Sequence, residues 1–420
     1  MTNAALEKTA ATGRTRPMID LAKNLAAVNR RTKASVIREL LKTTHRPEII
    51  SLAGGLPDPD AFPVDAVLEI CRKVLKENSR VALQYGETEG APILKDELVR
   101  TLREEEGLIV KPENILITTA SQQALDLTAK LFIDPSDPIL VELPSYLGAM
   151  QAFRSYGATM IGVKGDDDGM KMDSLTRKLA KLRREEEHYK FVYVVPDFQN
   201  PNGVTLSQPR REELVRLSRE WEFVIIEDSP YRQIRFEGKS PEMLYKLDTS
   251  GNVVSLFTFS KTFAPGFRLG YIVANEMLIR KMTILKQAMD LCTSPFSQLV
   301  AAEFLRGGYY REHIKKVNAI YKRKKDTMLA ALAKYMPEGV TWTKPEGGLF
   351  LWLRLPEKMD ADALFSEALK ENVAYVIGSA FHCDGSGRNT MRLNFSYPTE
   401  EQIDEGIRRL AQVFKNNWKA

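Results

Sequence analysis

Lys261 is the residue of this sequence whose surroundings most clearly suggest chemistry. It lies in the stretch TFSKTFAPGFRLGY, residues 258–271, among small, apolar and aromatic residues, and Arg268 follows seven positions later. Lysine is rarely fully buried in a protein unless it is paired. The stretch alone therefore allows three interpretations of Lys261: an ordinary surface charge, a ligand for an anion, or a nucleophile.

Polar residues of definite chemical type also follow other short apolar runs. The run NILITT is followed by Ser121 and Gln122, FVYVVP by Asn200, and FVIIE by Asp228 and Tyr231. In open α/β sheets, ligands bind at the carboxyl ends of the strands. We therefore expect these side chains to meet the lysine stretch at one edge of a sheet. There they would supply an anion site, an amide, an acid, a phenol, an amine and a guanidinium.

Ser121 and Asp228 each have a plainer interpretation when taken alone. A hydroxyl at the start of a helix can be a simple N-cap, although the free N–H groups there also favour an anion. An acid that follows four apolar residues can be a satisfied structural carboxylate, or it can hold a cation. The whole set, however, suits a ligand with a phosphate, a basic ring nitrogen, a phenolic oxygen and an aldehyde. Pyridoxal 5'-phosphate has all four groups.

The bulk properties limit the classes of function. The chain has 420 residues, of which 44% are hydrophobic and 27% charged, as in a soluble globular protein of two or three domains. Its 60 basic and 55 acidic residues are mixed along the chain, and the net charge of +5 is too mild to argue for binding to nucleic acid or membranes. No apolar run is long enough for a membrane span, and the polar N-terminus lacks the apolar segment of a secretory signal.

Cysteine and histidine usage points to reduced chemistry without a metal. Cys71, Cys292 and Cys383 are far apart and odd in number, so we expect neither a disulfide framework nor a zinc cluster. The four histidines show no metal-ligand spacing. We therefore expect a cytoplasmic protein with no bound metal.

The apolar runs also predict the fold class. Six short runs are apolar at nearly every position and alternate with amphipathic stretches. This pattern is typical of strands covered on both faces in a mainly parallel sheet. Beyond residue 310, strands and helices are mixed, as in a smaller α+β domain. We expect an α/β fold in four parts: a disordered lead-in (1–17), an N-terminal helical segment that joins the small domain and covers the active site (18–59), a large cofactor-binding domain with its sheet sandwiched by helices (60–305), and a C-terminal small domain (306–420).

Helix boundaries can be predicted at several positions. The pattern predicts helices from Val64 to Asn78, from about Tyr309 to Lys334, and from about Ala361 to Glu371. A last helix should begin near Thr399, because Thr399 and Gln402 have the spacing of a capping box.

Nine segments, in order along nearly the whole chain, resemble the fold-type I pyridoxal-phosphate aminotransferases, and most closely the branch of 2-aminoadipate and kynurenine aminotransferases. Any one segment is weak evidence, but nine in collinear order are strong evidence. They are SLAGGLPDPDAFP, LQYGETEG, TTASQQALDL, ELPSYLGAMQAF, VPDFQNPNG, IIEDSPY, FTFSKTFAPGFRLGY, PEGGLFLWLRLP and MRLNFSY. The resemblance implies an aspartate-aminotransferase-like large domain and pyridoxal 5'-phosphate as the cofactor.

The resemblance also implies a role for each candidate residue. Lys261 would form the Schiff base with the cofactor aldehyde and then act as the base that moves a proton. Asp228 would pair with the pyridine nitrogen. Tyr231 and Asn200 would hydrogen-bond the phenolic oxygen. The remaining assignments are Tyr146 for stacking on the ring, Ser121, Gln122, Thr258, Ser260 and Arg268 for the phosphate, Tyr85 for the phosphate of the neighbouring subunit, and Arg392, Asn200 and Gly55 for the substrate.

Two of these residues have other interpretations, and two segments depart from the family pattern. Arg392 could form a structural salt bridge with the last helix, and Tyr85 could be an ordinary turn residue. In the turn NPNG, Asn202 replaces the usual threonine, although Asn200 and the following proline and glycine remain. A glycine-rich turn is more usual before the phosphate helix than TASQQ, which leaves the phosphate donors around Ser121 and Gln122 less closely defined.

The reaction implied is transamination from an L-amino acid to a 2-oxo acid through a pyridoxamine intermediate, in a homodimer with shared active sites. A β-lyase or decarboxylase on the same fold is the alternative, because the motifs do not fix which substrate bond is broken. An aminotransferase-like transcriptional regulator is a remote alternative, since only about 50 residues precede SLAGG, too few for a DNA-binding domain and linker.

The choice of substrate depends on which residues could bind a second carboxylate. A 2-oxoglutarate acceptor or a 2-aminoadipate donor carries a second, distal carboxylate, which needs a cation or another donor. Arg30, Arg31 and Arg38 lie in the N-terminal segment that would cover the pocket. We expect a broad enzyme that uses 2-oxoglutarate and acts on aminoadipate, aromatic or aliphatic amino acids.

Overall fold

The computed structural model describes residues 21–32 and 46–418. Fourteen strands occur within these ranges. They are β1 (Ile50–Ser51), β2 (Ile115–Thr118), β3 (Pro138–Leu143), β4 (Thr159–Asp166), β5 (Gly169–Met170), β6 (Phe191–Val194), β7 (Val224–Asp228), β8 (Val253–Thr258), β9 (Gly270–Val273), β10 (Thr341–Trp342), β11 (Phe350–Arg354), β12 (Val373–Ala374), β13 (Val376–Ile377) and β14 (Thr390–Asn394).

Helices separate most of the strands, and short 3-10 turns occur at Leu21–Asn24, Pro59–Ala61, Pro112–Asn114, Pro265–Phe267 and Gly378–Phe381. The α-helices of the described residues are α1 (Val28–Arg31), α2 (Val64–Ala82), α3 (Pro92–Glu106), α4 (Ala120–Phe132), α5 (Leu147–Ser155), α6 (Met172–Arg184), α7 (Gln208–Trp221), α8 (Leu244–Leu247), α9 (Glu276–Asp290), α10 (Pro295–Arg306), α11 (Tyr309–Tyr335), α12 (Ala361–Lys370) and α13 (Glu400–Asn416).

The eight-stranded sheet is mainly parallel, which confirms the predicted fold class. Its strand order is β2-β9-β8-β7-β6-β3-β4-β5. The neighbours from β8 through β4 run parallel, whereas β9 is antiparallel to both of its neighbours and β5 is antiparallel to β4. Both faces are covered, since alternate residues of β7 enter different apolar clusters: Ile226 packs with α4 and α9, and Ile225 packs with α6 and α7.

A smaller antiparallel sheet follows in the chain. Its strand order is β10-β11-β14-β13, and α13 packs against α11 beside it. Strand β1 pairs in parallel with β12, with Ile50 opposite Val373. The expected segment 18–59 is thus tied to the C-terminal elements by a strand. The rest of that segment lies partly outside the described residues, as do the expected lead-in and Arg38.

The predicted helix boundaries hold within a few residues, with one clear extension. The helix predicted to end at Asn78 continues to Ala82, although Asn78 itself has a non-helical φ of −130°. The buried side chain of Ala82 holds the continued turn against the core. At α13, Thr399 and Gln402 form the predicted capping box. No helix in the described ranges has both the length and the apolar character needed to cross a membrane.

Candidate functional site

The parallel strands bring the predicted site residues to one edge of the large sheet. β6, β7 and β8 are neighbours, and each ends at the same edge, at Val194, Asp228 and Thr258. Asn200 follows β6 after a short turn, and Lys261 follows β8 by three residues. The sequence positions are far apart, so it is the parallel topology that gathers these side chains.

Lys261 is half-buried and held by a backbone carbonyl. Its Nζ donates a hydrogen bond of 2.8 Å to the carbonyl oxygen of Gly55. Burial, and then the nearby Arg392 and Arg268 guanidinium groups, lower the pKa of Lys261 to about 8. Near neutral pH, the neutral fraction of Lys261 is therefore much larger than that of an ordinary lysine. Only the neutral amine is a nucleophile.

Asp228 has two carboxylate oxygens in different situations. Oδ2 accepts a hydrogen bond of 2.7 Å from the hydroxyl of Tyr193, whereas Oδ1 is buried and has no hydrogen-bond partner among the described residues. Burial raises the pKa of Asp228 to about 7. A buried acceptor without a partner is costly, and a protonated ring nitrogen is a donor that would satisfy it. Oδ1 therefore fits the pyridine nitrogen of pyridoxal 5'-phosphate.

Asn200, Tyr231 and Arg392 form a continuous chain of hydrogen bonds. The Nδ2 of Asn200 lies 3.3 Å from the hydroxyl of Tyr231, and its Oδ1 accepts a bond of 2.9 Å from Nη1 of Arg392. All three side chains are buried. Burial raises the pKa of Tyr231 well above its usual value, so the phenol stays protonated and can donate to a ligand oxygen.

Arg392 is almost completely buried and has no carboxylate partner in the described residues. Its Nη2 donates to the carbonyl oxygens of Ala53, at 2.7 Å, and Gly54, at 2.9 Å. Its guanidinium lies over the ring of Phe350 at 4.2 Å and over that of Phe381 at 5.2 Å. Burial lowers its pKa to about 10. A buried cation whose partners in residues 21–32 and 46–418 are all neutral is suited to bind an anionic ligand, and within these ranges the structural salt bridge considered for this residue is not formed.

The backbone at the start of α4 approaches β9 closely. Ala120 has a left-handed φ of 63°. A side chain at Gly270 would lie 2.9 Å from the backbone nitrogen of Ser121 and 2.6 Å from the carbonyl oxygen of Phe257. Only glycine at position 270 allows this approach. The first N–H groups of α4 are thus placed beside the end of β8, where they suit a phosphate.

The other predicted phosphate ligands lie in the same region. The hydroxyl of Thr258 lies 2.9 Å from the hydroxyl of Ser260 and accepts a bond of 3.1 Å from its N–H. Arg268 is exposed and has a left-handed φ of 50°. Such a conformation costs a non-glycine residue roughly 1–2 kcal/mol and is often found where a residue is held for binding.

Ser121, Gln122 and Tyr85 lie in three different environments. Ser121 is not the N-cap of α4, because Thr119 is, and Ser121 lies within the helix. Gln122 is exposed and donates a hydrogen bond to the carbonyl oxygen of Gly148. The half-buried ring of Tyr146 packs closely on the same glycine, since a Cβ added at Gly148 would lie 2.6 Å from that ring. Tyr85 is 79% exposed, so its side chain lies on the surface of the single chain.

The arginines proposed for a distal carboxylate are not gathered at the site. Arg31 donates to the carbonyl oxygen of Ser155 at 3.3 Å, at the end of α5. A basic side chain in this position compensates the free carbonyls of a helix C-terminus. Arg30 is exposed, and Arg38 lies outside the described residues.

Sequence reasoning did not single out several residues that shape the site. Tyr193 lies in an apolar strand, and the signal that could have identified it is the one hydroxyl in the run FVYVV. Phe350 and Phe381 come from distant elements, so no local pattern relates them to Arg392. Asp290 accepts hydrogen bonds from Thr119 and Gln123 and so fixes the start of α4. It lies at the end of a helix and does not follow a strand, so the pattern that identified the other residues does not apply to it.

Comparison with known proteins agrees with this geometry. Residues 47–410 match the family described as aminotransferase class I and II. The aromatic-amino-acid aminotransferase 1 of Thermococcus litoralis is 45% identical over 96% of this chain and 97% of its own. The kynurenine aminotransferase structure of Pyrococcus horikoshii, in complex with PMP, KYN as substrates and KYA as products, has a TM-score of 0.92 and 44% identity, and covers 96% of this chain and 99% of that one.

A second similar structure contains a covalent adduct of the cofactor with an amino acid. It is the α-aminoadipate aminotransferase of Thermus thermophilus, complexed with N-(5'-phosphopyridoxyl)-L-leucine. Its TM-score is 0.86 and its identity 38%, with 94% of this chain and 98% of that chain covered. These relatives do not favour the lyase or regulator alternatives. The unpartnered oxygen of Asp228 fits that cofactor, and the family match and these relatives show that this chain belongs to the class I and II aminotransferases, which use pyridoxal 5'-phosphate.

Proposed function

We propose that this aminotransferase takes the amino group from aromatic amino acids, 2-aminoadipate or aliphatic amino acids and passes it to 2-oxoglutarate. The observation that carries the proposal is Arg392, a buried cation without a carboxylate partner in the described residues. It is bonded to Asn200 and lies over two aromatic rings. A substrate α-carboxylate would supply the missing anion. Phe350 and Phe381 would form apolar surface beside it.

The residues of the chain divide the work between the cofactor and the proton. When bound, pyridoxal 5'-phosphate supplies an aldehyde carbon and an electron-accepting ring. Lys261 would attach to that carbon through Nζ and, once released, would take a proton from the substrate Cα. Asp228 would keep a proton on the ring nitrogen with Oδ1. Tyr231 and Asn200 would hold the phenolic oxygen by hydrogen bonds.

The phosphate would be held by two groups of donors. One group is the N–H groups and hydroxyl at the start of α4, around Ser121 and Gln122. The other consists of the hydroxyls of Thr258 and Ser260 and the guanidinium of Arg268, which suits bidentate contact. Tyr146 would stack on the pyridine ring of the cofactor. The half-buried side chain of Tyr146 lies at the start of α5, near Arg392 and Tyr231.

Gly55 would act through its backbone. Its carbonyl holds Lys261, and a Cβ at this position would lie 3.2 Å from the ring of Phe350 and 3.9 Å from Nη2 of Arg392. A residue with a side chain would therefore narrow the space in which the substrate carboxylate meets Arg392.

We also propose a homodimer with shared sites and a cytoplasmic location. Tyr85 is exposed in the single chain, as are Val81 and Leu83 beside it in sequence and Leu291. The segment of Leu291 meets that of Tyr85, because the N–H of Gly86 donates to Sγ of Cys292. A second copy would cover them, and its Tyr85 would reach the phosphate. The location is supported by the three cysteines, which are all free thiols.

The test of the reaction is a donor panel followed by product analysis. The purified protein, loaded with pyridoxal 5'-phosphate, is mixed with phenylalanine, kynurenine, 2-aminoadipate and leucine, and the visible cofactor band is followed before 2-oxoglutarate is added. Loss of the band, its return with 2-oxoglutarate, and glutamate as product are expected. Pyruvate from a β-substituted donor, or carbon dioxide, would instead identify a lyase or decarboxylase. Lys261→Ala is the control and should show no turnover.

A further inference from the structure

Tyr193 is a fully buried tyrosine whose hydroxyl meets the carboxylate of Asp228. It lies in β6, opposite Ile226 of β7, and its hydroxyl is 2.7 Å from Oδ2 of Asp228. Its ring is fixed by Phe153, which meets it edge-on at a centroid distance of 5.4 Å. Burial, and then the neighbouring Asp228, raise the pKa of Tyr193 well above its usual value. The phenol therefore stays protonated and donates its hydrogen bond.

The hydrogen bond from Tyr193 stabilises the ionised form of Asp228. Burial raises the pKa of the carboxyl group, and the Tyr193 hydroxyl acts in the opposite direction. A hydrogen bond to one oxygen also limits rotation of the carboxylate about its last torsion. Oδ1, which has no partner among the described residues, is thereby left as the oxygen that can meet a ligand.

We propose that Tyr193 is a positioning residue that keeps Asp228 ionised and turned so that Oδ1 meets the protonated ring nitrogen of the cofactor. The inference rests on the proposed role of Asp228 and deepens it. The hydroxyl of Tyr193 is engaged with Oδ2 of Asp228. It acts through the carboxylate, so its removal should weaken only those interactions that depend on the ring nitrogen.

The experiment compares two ligands that differ at one ring atom. Dissociation constants of the apo-protein are measured for pyridoxal 5'-phosphate and for its analogue with a carbon in place of the ring nitrogen. Any difference between the two ligands in their covalent bond to Lys261 is the same in the wild type and in the variant, so it cancels when the two preferences are compared. The wild type should prefer the natural cofactor, and Tyr193→Phe should lose roughly 10-fold or more of that preference, as expected for a hydrogen bond to a charged group.

The matched control is Tyr375→Phe. Tyr375 is as fully buried as Tyr193, and its hydroxyl donates to the backbone carbonyl of Ala361. Both Tyr375 and Ala361 lie in the C-terminal part of the chain. Removal of the Tyr375 hydroxyl should lower thermal stability while leaving the ligand preference of the wild type. A double-mutant cycle adds a second readout: in an Asp228→Asn background, Tyr193→Phe should change the preference little, because the group through which it acts is gone.

The outcomes separate this inference from the proposed function. A wild type that binds both ligands equally would remove the role of Asp228, and with it the inference. A wild type that discriminates, together with a Tyr193→Phe protein that discriminates equally, would overturn the inference alone. If Tyr193→Phe does not fold, fluorotyrosine at position 193 keeps the ring and hydroxyl while changing the strength of the bond. An unchanged preference in that protein would also overturn the inference.

Discussion

Nζ of Lys261 donates a 2.8 Å hydrogen bond to the carbonyl oxygen of Gly55, and this bond joins the end of the large sheet to the loop 52–58. That loop is fastened to the C-terminal elements. Asp58 accepts a bond of 2.6 Å from Nζ of Lys324, and the hydroxyl of Ser396 donates to the carbonyl oxygen of Leu56. The lysine proposed as the nucleophile is thus held where the two parts of the fold meet.

The low pKa of Lys261 predicts how cofactor attachment depends on pH. The pKa is lowered from 10.5 to about 8, so the reactive, neutral amine becomes populated as the pH rises through about 8. The rate at which the apo-protein forms its visible cofactor band should be half of its maximum near pH 8 and should level off at higher pH. Stopped-flow mixing with pyridoxal 5'-phosphate across the pH range measures the midpoint.

The contribution of Arg392 to this midpoint can be isolated. Arg392→Gln removes a cation near the amine, and the midpoint should move to higher pH by roughly half a unit to one unit. The cofactor's own titration is common to both proteins and does not affect the difference. Arg388→Gln, at an exposed pair with Asp360, is the control and should leave the midpoint in place. An Arg392→Gln midpoint equal to that of the wild type would contradict the prediction.

Arg392→Lys should lower kcat/KM for amino-acid donors by roughly 30-fold or more, because truncating a buried charge-assisted contact costs about 2–5 kcal/mol. Lysine cannot keep both the Asn200 contact and the fork toward a carboxylate. The matched substrate is phenethylamine, which is phenylalanine without its carboxylate. The advantage of phenylalanine over phenethylamine should shrink in the variant. An advantage of unchanged size would show that Arg392 does not bind the carboxylate.

Arg31 should not determine the affinity for a second carboxylate, since it is directed at the end of α5. Arg31→Ala is expected to leave the KM values of both 2-aminoadipate and phenylalanine within about twofold of wild type. It should lower stability by roughly 0.5–1 kcal/mol through the lost bond to Ser155. Steady-state kinetics and thermal unfolding measure the two effects. A rise in KM for 2-aminoadipate alone would restore Arg31 as a specificity residue.

Gly270→Ala should disrupt the proposed phosphate site. The added Cβ would lie 2.6 Å from the carbonyl oxygen of Phe257 and 2.9 Å from the backbone nitrogen of Ser121, so the start of α4 must move away from β8. We expect weaker binding of pyridoxal 5'-phosphate and a loss of about 1–3 kcal/mol of stability from overpacking. Gly266→Ala is the control, because a Cβ there meets nothing within 4 Å. Equal cofactor affinity in the two variants would contradict the prediction.

The residues at strand ends could be predicted from sequence because two local signals coincide. Continuous apolar runs identify buried parallel strands, and Asn200, Asp228 and Lys261 follow such runs closely. The N-cap of α4 could not be placed, because the left-handed conformation of Ala120 has no signal in a non-glycine residue. The aromatic rings around Arg392 and the Tyr193 bond depend on contacts between distant segments. Their positions follow from packing, which no short pattern encodes.

If Tyr85 reaches the phosphate of the partner subunit, as proposed, two inactive variants should restore activity when their subunits are mixed. Lys261→Ala removes the nucleophile of its own site, whereas Tyr85→Ala would damage the phosphate site of the partner subunit. A mixed dimer would contain one site with both defects and one intact site. After denaturation and refolding of equal amounts, random pairing makes half the dimers mixed, so about a quarter of wild-type activity is expected for a closed two-subunit assembly.

The control for this mixture is each variant refolded alone, which should remain nearly inactive. Size-exclusion chromatography with light scattering should show a dimer in every sample. If Tyr85 acts only within its own chain, every site in the mixture carries one of the two defects. Activity would then be no greater than the average of the two separate variants. Recovery above that average therefore requires a site assembled from two chains.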